Sequence, residues 1–123
     1  MLTLAVNKNV YIFAMEIEIK TKKLAKILNN AKLIAKHYGN SAKKIKTRLD
    51  DLAMVDNLQD AMYLPGRHHS LTGDRQGQFA CDLQHPFRLI YEPSNEPLPI
   101  DENNNLIYNK VNIVAIIEIT DYH

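Results

Sequence analysis

Residues 15–53 read MEIEIKTKKLAKILNNAKLIAKHYGNSAKKIKTRLDDLA, and the spacing of their apolar residues changes once. Met15, Ile17 and Ile19 alternate with Glu16 and Glu18. A period of two marks a strand with one wet face, and the β-branched and aromatic run before it extends the predicted strand over 10–19. From Thr21 the period becomes three to four. Leu24, Ile27, Leu28, Ala31, Ile34, Ala35 and Tyr38 form one stripe, which predicts an amphipathic helix capped by Thr21 and ended by Gly39. Asn40 or Ser41 caps a second helix, with Ile45, Leu49, Leu52 and Ala53 inside. The short connection makes an αα-hairpin. Asp56 is expected to cap one further turn, with Leu58 and Met62 inside.

Downstream, Leu64-Pro65-Gly66 breaks the helical pattern, and residues 67–78 are polar and loop-like. Gln78–Leu83 and Phe87–Glu92 read as two strands joined around Gln84-His85-Pro86. Residues 93–110, with three prolines and an Asn run, predict a long, acidic, mobile loop. Residues 111–119 form the last strand. Strand, two helices, then three strands argue an α+β domain, the αα-hairpin packed on one face of a mostly antiparallel sheet.

The 123 residues suit one domain. Met15 could itself be the start, which makes residues 1–14 an N-terminal extension and 15–123 the domain. Cys81 is the sole cysteine, so an internal disulfide and a cysteine-based zinc cluster are excluded. A reducing, cytoplasmic setting fits. No apolar run reaches the ~20 residues that span a bilayer. The apolar start lacks a basic leader, so no signal peptide is expected. The formal net charge of +1 hides a division. Residues 15–50 hold ten Lys/Arg against three Asp/Glu, and residues 51–123 hold four against eleven. The basic block is either a solvated helix face or a surface for a polyanion. Lys43, Lys44, Lys46 and Arg48 carry it on the second helix, with Arg67 and Arg75 beyond.

Three of the four glycines fall in LPGRHHSLTGDRQGQF (64–79), which marks a shaped turn. Gly73-Asp74-Arg75-Gln76-Gly77 lacks P-loop spacing. Adjacent His68 and His69 point opposite ways on an extended chain, so no paired-histidine metal motif exists. Zinc on His69, Asp121 and His123 is conceivable on ligand type, but no metal is expected. Ser70 lacks a nucleophile-elbow context.

The sequence closes on Asp121-Tyr122-His123, three groups that move protons. If the last strand pairs beside the Arg88 strand, Arg88 and these three gather at one sheet edge. His69 is a further acid–base group, and each histidine read alone is an ordinary loop histidine. Such a set can cleave RNA without a cofactor. The 2′-OH is a built-in nucleophile, to be deprotonated while the anion and leaving oxygen are stabilised.

Taken together, the chain resembles the RelE/ParE toxin superfamily, and within it the HigB-like killer-protein branch. The motifs stand in order as Leu64-Pro65-Gly66, His69-Ser70-Leu71-Thr72-Gly73-Asp74-Arg75-Gln76-Gly77-Gln78-Phe79, Phe87-Arg88-Leu89-Ile90-Tyr91 and Asp121-Tyr122-His123. They cover roughly 15–123. The resemblance implies a RelE-like fold with a curved sheet, a cytoplasmic toxin of a type II toxin–antitoxin system, and a helix-turn-helix, HigA-like antitoxin. It implies ribosome-dependent cleavage of mRNA without metal or other cofactor, contact with DNA only through the antitoxin complex, and no membrane. His69, Asp121, Tyr122 and His123 would be the acid–base set, Arg88 would face the scissile phosphate, and Lys43, Lys44, Lys46, Arg48, Arg67 and Arg75 would hold RNA or ribosome. Two departures stand out: Thr72 replaces a Lys common in the family, and the 93–110 loop is longer than the tight hairpin of compact members. Two alternatives stay open, a non-nuclease gyrase poison of the same fold and a degenerate toxin acting only as an antitoxin-binding module.

Overall fold

The computed structural model describes residues 14–121. The first part of the predicted 10–19 strand, most of the extension, and Tyr122 and His123 lie outside them. Strand β1 is Glu16–Ile19, with Ile17 and Ile19 buried and the glutamates half-buried. Four helices follow: α1 (Lys22–Leu28), α2 (Ala31–Tyr38), α3 (Ala42–Met54) and α4 (Leu58–Ala61). Then come β2 (His69–Ser70), β3 (Phe79–Asp82), β4 (Phe87–Pro93) and β5 (Ile113–Asp121). The sheet order is β1-β5-β4-β3-β2. β1 pairs β5 in parallel, and every other pairing is antiparallel. The protein is thus an α+β domain with helices on a mostly antiparallel sheet.

The predicted first helix is two helices. Asn30 has extended backbone, and its side-chain oxygen accepts from the N–H groups of Lys32 and Leu33. That is an N-cap, and Asn competes for the role strongly enough to interrupt the stripe. Before the break, Leu24, Ile27 and Leu28 are buried. After it, Ile34 and Tyr38 are half-buried and Ala31 and Ala35 exposed. The expected stripe therefore continues past the break only through Ile34 and Tyr38, which pack against the core, while Ala31 and Ala35 do not. Thr21 caps α1 as expected, accepting from Leu24 N–H at 3.1 Å. Ser41 precedes α3 but makes no cap hydrogen bond; its hydroxyl donates instead to the Gln84 carbonyl, 3.1 Å away. The cap of α4 is Asn57, one residue beyond the expected Asp56.

One face of the sheet meets the helices. Ile17, Phe79, Cys81, Leu89, Tyr91, Val114 and Ile116 join Leu24, Ile45, Leu52 and Leu58 in a single core. Burial of this apolar surface is the main force holding the layers together. Ala80 and Ile90 are fully buried yet lie on the other face, outside that core. A β-bulge decides which β5 residues reach which face. Tyr91 pairs with Ile116, but Ile90 pairs with Glu118, so Ile117 is the extra residue. Ile116 and Ile119 both turn to the helices, and Glu118 and Thr120 turn to the face of Ile90 and Arg88.

The 93–110 segment has internal structure. Ile100 and Leu106 form an antiparallel bridge, and one carboxylate oxygen of Asp101 accepts from Asn103 and Asn105 N–H. Asn95 ties the segment to Asn112 and Ile113.

Candidate functional site

Gly66 and Arg67 both have positive φ, +102° and +53°. A Cβ on Gly66 would meet Arg48 Nε at 2.4 Å, so only glycine leaves room for that side chain. Arg48 lies across the turn, its Nε donating to the Asp82 carbonyl at 2.9 Å. The turn then delivers His68 and His69 to opposite faces. His68 enters the protein, 5% exposed, with Nδ1 2.8 Å from the Tyr91 hydroxyl. Burial, aided by Arg48 and His69, pushes its pKa down to about 4. His69 emerges on the face away from the helices.

The polar neighbours of His69 favour one tautomer. Its Nδ1 lies 2.5 Å from the Arg67 carbonyl, which can only accept. Its Nε2 faces Arg88 Nη1 at 3.5 Å, and a guanidinium can only donate. The carbonyl calls for a proton on Nδ1, and the guanidinium favours a lone pair on Nε2. Arg88 itself is 7% exposed. Burial lowers its pKa, Asp82 opposes that shift, and Arg67 and Arg75 add to it. It stays cationic throughout.

Around this pair lie two ion pairs. Arg67 grips Asp82 with both ends of its guanidinium, at 2.7 and 3.1 Å. The hydrogen bond from Arg67 holds the Asp82 carboxyl below its ordinary range. Arg75, on the Gly73–Arg75 3₁₀ turn, pairs with Glu118 and donates to Gln78 at 2.8 Å. Because the turn joins β2 to β3 and Glu118 lies on β5, Arg75 straps the rows of Ala80 and Ile90. A cleft of about 300 Å³ opens beside Arg88, lined also by Arg67, Asp82, His85 and Phe87.

The structure brings together His69, Arg88, Arg67 and Arg75. Asp121 pairs with Phe87 while Arg88 pairs with Thr120, so Asp121 is one residue out of step with Arg88. Strand alternation gives it to the Phe87 face. Tyr122 and His123 fall outside the described residues. Lys43, Lys44 and Lys46 are exposed on α3, and Lys46 pairs with Asp50 at 3.1 Å. Arg48 departs from them: its side chain is 12% exposed and directed at β3. Asp82, Glu118 and Thr120 were not singled out from sequence. The short connection around Gln84-His85-Pro86 carried the signal for Asp82, since a hairpin there sets Asp82 opposite Arg88. The bulge hid the other two.

Among the described residues no group of three or more His, Cys, Asp or Glu could hold a metal ion, and no helix is long and apolar enough to cross a membrane. The chain matches no family model, no curated protein and no solved structure.

Proposed function

We propose that this protein is the toxin of a type II toxin–antitoxin pair, a ribosome-dependent endoribonuclease of the RelE/HigB kind. One observation carries the reading: the His69 imidazole sets Nε2 3.5 Å from the buried Arg88 guanidinium. A phosphodiester seated there would present its 2′-OH to Nε2 and a non-bridging oxygen to Arg88. The imidazole takes the hydroxyl proton, the 2′-oxygen attacks phosphorus, and Arg88 stabilises the charge on the phosphorane. The P–O5′ bond breaks and the 5′-oxygen takes a proton, leaving a 2′,3′-cyclic phosphate and a 5′-hydroxyl. By resemblance, that proton comes from the Asp121-Tyr122-His123 set, and since Asp121 falls to the Phe87 face, from Tyr122 or His123. The exposed Lys43, Lys44 and Lys46 would meet RNA or ribosome. A cytoplasmic location and a helix-turn-helix antitoxin complete the reading.

The test is to induce the protein alone and map mRNA 5′ ends. New ends with wild type, lost with His69→Ala and with Arg88→Ala, are the expected result. Intact mRNA with wild type, or cutting that survives both substitutions, would overturn it. A second reading, a degenerate toxin that only binds its antitoxin, has one observation in its favour. Thr72 is uncharged, and the arginines nearest to replace a lysine, Arg67 and Arg75, are each paired with a carboxylate. Tight antitoxin binding without growth arrest would select it.

A further inference from the structure

Away from His69 and Arg88, a second cleft of about 840 Å³ opens between the β2–β3 turn and the 93–108 segment. Half-buried Leu106 and Tyr108 give it an apolar wall, with Phe79 2% exposed behind them. Leu98 and Ile100 line it while remaining 45% and 46% exposed. The Ile100–Leu106 bridge and the Asp101 turn hold these aliphatic groups in place. Ser70 lines the cleft from β2, the last strand of the sheet, whose outer edge pairs with no strand among the described residues. An open strand edge beside apolar pockets is the geometry by which an extended peptide is recognised.

The charge here is opposite to that of the helices. Residues 92–110 carry Glu92, Glu96, Asp101 and Glu102 against Lys110. Among the described residues that line the cleft Glu92 alone is charged, and it is paired with Lys20 at 3.1 Å, so the unpaired acidic character comes from the exposed Glu96 and Glu102 on the segment that carries Leu98 and Ile100. An acidic segment beside an otherwise uncharged cleft disfavours a nucleic-acid backbone and favours a cationic chain.

We propose that this cleft docks an extended, basic segment of a protein partner. The segment lies along the β2 edge, sets an aliphatic side chain against Leu98, Ile100, Leu106 and Tyr108, and directs Lys or Arg toward the acidic 96–102 stretch. The proposal stands on the cleft alone and does not depend on the nuclease reading.

The test is a titration of the isotope-labelled full chain, followed by amide NMR. The probes are a peptide of alternating Lys and Val, the same peptide with Glu for Lys, and oligoadenylate. The Lys/Val peptide is expected to shift the amides of 70–72, 76–79 and 98–106, and high salt to weaken that binding. The exposed pair Glu96→Lys and Glu102→Lys should lower its affinity about tenfold or more. Leu98→Asn, a separate exposed change, should also weaken it. Shifts elsewhere, an equal response to the Glu/Val peptide, oligoadenylate shifting these same amides, or unchanged affinity in the variants would each overturn the proposal.

Discussion

His68 and His69 are neighbours in sequence and opposites in environment. His68 lies 5% exposed against Tyr91, while His69 sits half-buried on the outer face beside Arg88. The two-residue period of an extended chain makes that division, and the positive-φ turn at Gly66 and Arg67 sets its phase. Residue type therefore says little about role here; the face does. One histidine is a structural hydrogen-bonding group and the other is a candidate base.

The largest expected effect falls on the outer member. On the proposed nuclease reading, His69→Ala should cut mRNA cleavage by roughly 10²–10⁴-fold with the fold intact, whereas His68→Gln should leave cleavage per folded molecule near wild type. Equal losses, measured on protein shown folded by circular dichroism, would break the contrast. Next comes acid. His68 titrates near 6.5 when unfolded and about 4 when folded, so the unfolded chain binds more protons between those values. Stability should fall as pH drops through that window, by on the order of 3 kcal/mol, and level off below it. His68→Gln should flatten the pH dependence of urea unfolding there, and His69→Ala should not. A smaller change, Gly66→Ala, strains φ at +102° and drives Cβ into Arg48, for a loss of roughly 2 kcal/mol by thermal or urea unfolding. Because that turn phases both histidines, the same variant should also lower cleavage. Smallest of all, Lys46→Ala should shift stability by no more than about 0.5 kcal/mol, its ion pair with Asp50 being exposed.

Much of the architecture was legible in periodicity. The strand through Ile17 and Ile19, the α3 face of Ile45, Leu49, Leu52 and Ala53, and the strands at Phe79 and Phe87 lie where their spacing puts them. The break at Asn29-Asn30 was missed because an apolar stripe ran across it, although two adjacent Asn residues are a capping signal. Strand β2 was missed because two residues are too few to show a period. At the site, the pairing of β4 with β5 was anticipated, and its register was not. A single bulged residue, Ile117, moves Glu118 and Thr120 to the Arg88 face. No local propensity announces such a bulge, since Ile116, Ile117 and Ile119 read equally well in a straight strand. The contact between His69 and Arg88 comes from tertiary pairing, which a single sequence presents only through motif resemblance.

The parallel pairing of β1 with β5 also bears on how the chain reaches its native state. Glu16 aligns with Ile113, and β1 has no other strand beside it among the described residues. The first strand cannot dock until nearly the whole described chain is present, which gives the sheet a high contact order. During synthesis the helices can pack locally while β1 waits for β5. The Arg88 strand can pair with β3 as a local hairpin, but its other edge stays open until β5 arrives. A partly made chain therefore lacks a finished sheet, and the Glu118 and Thr120 side of the Arg88 face is completed only late in folding.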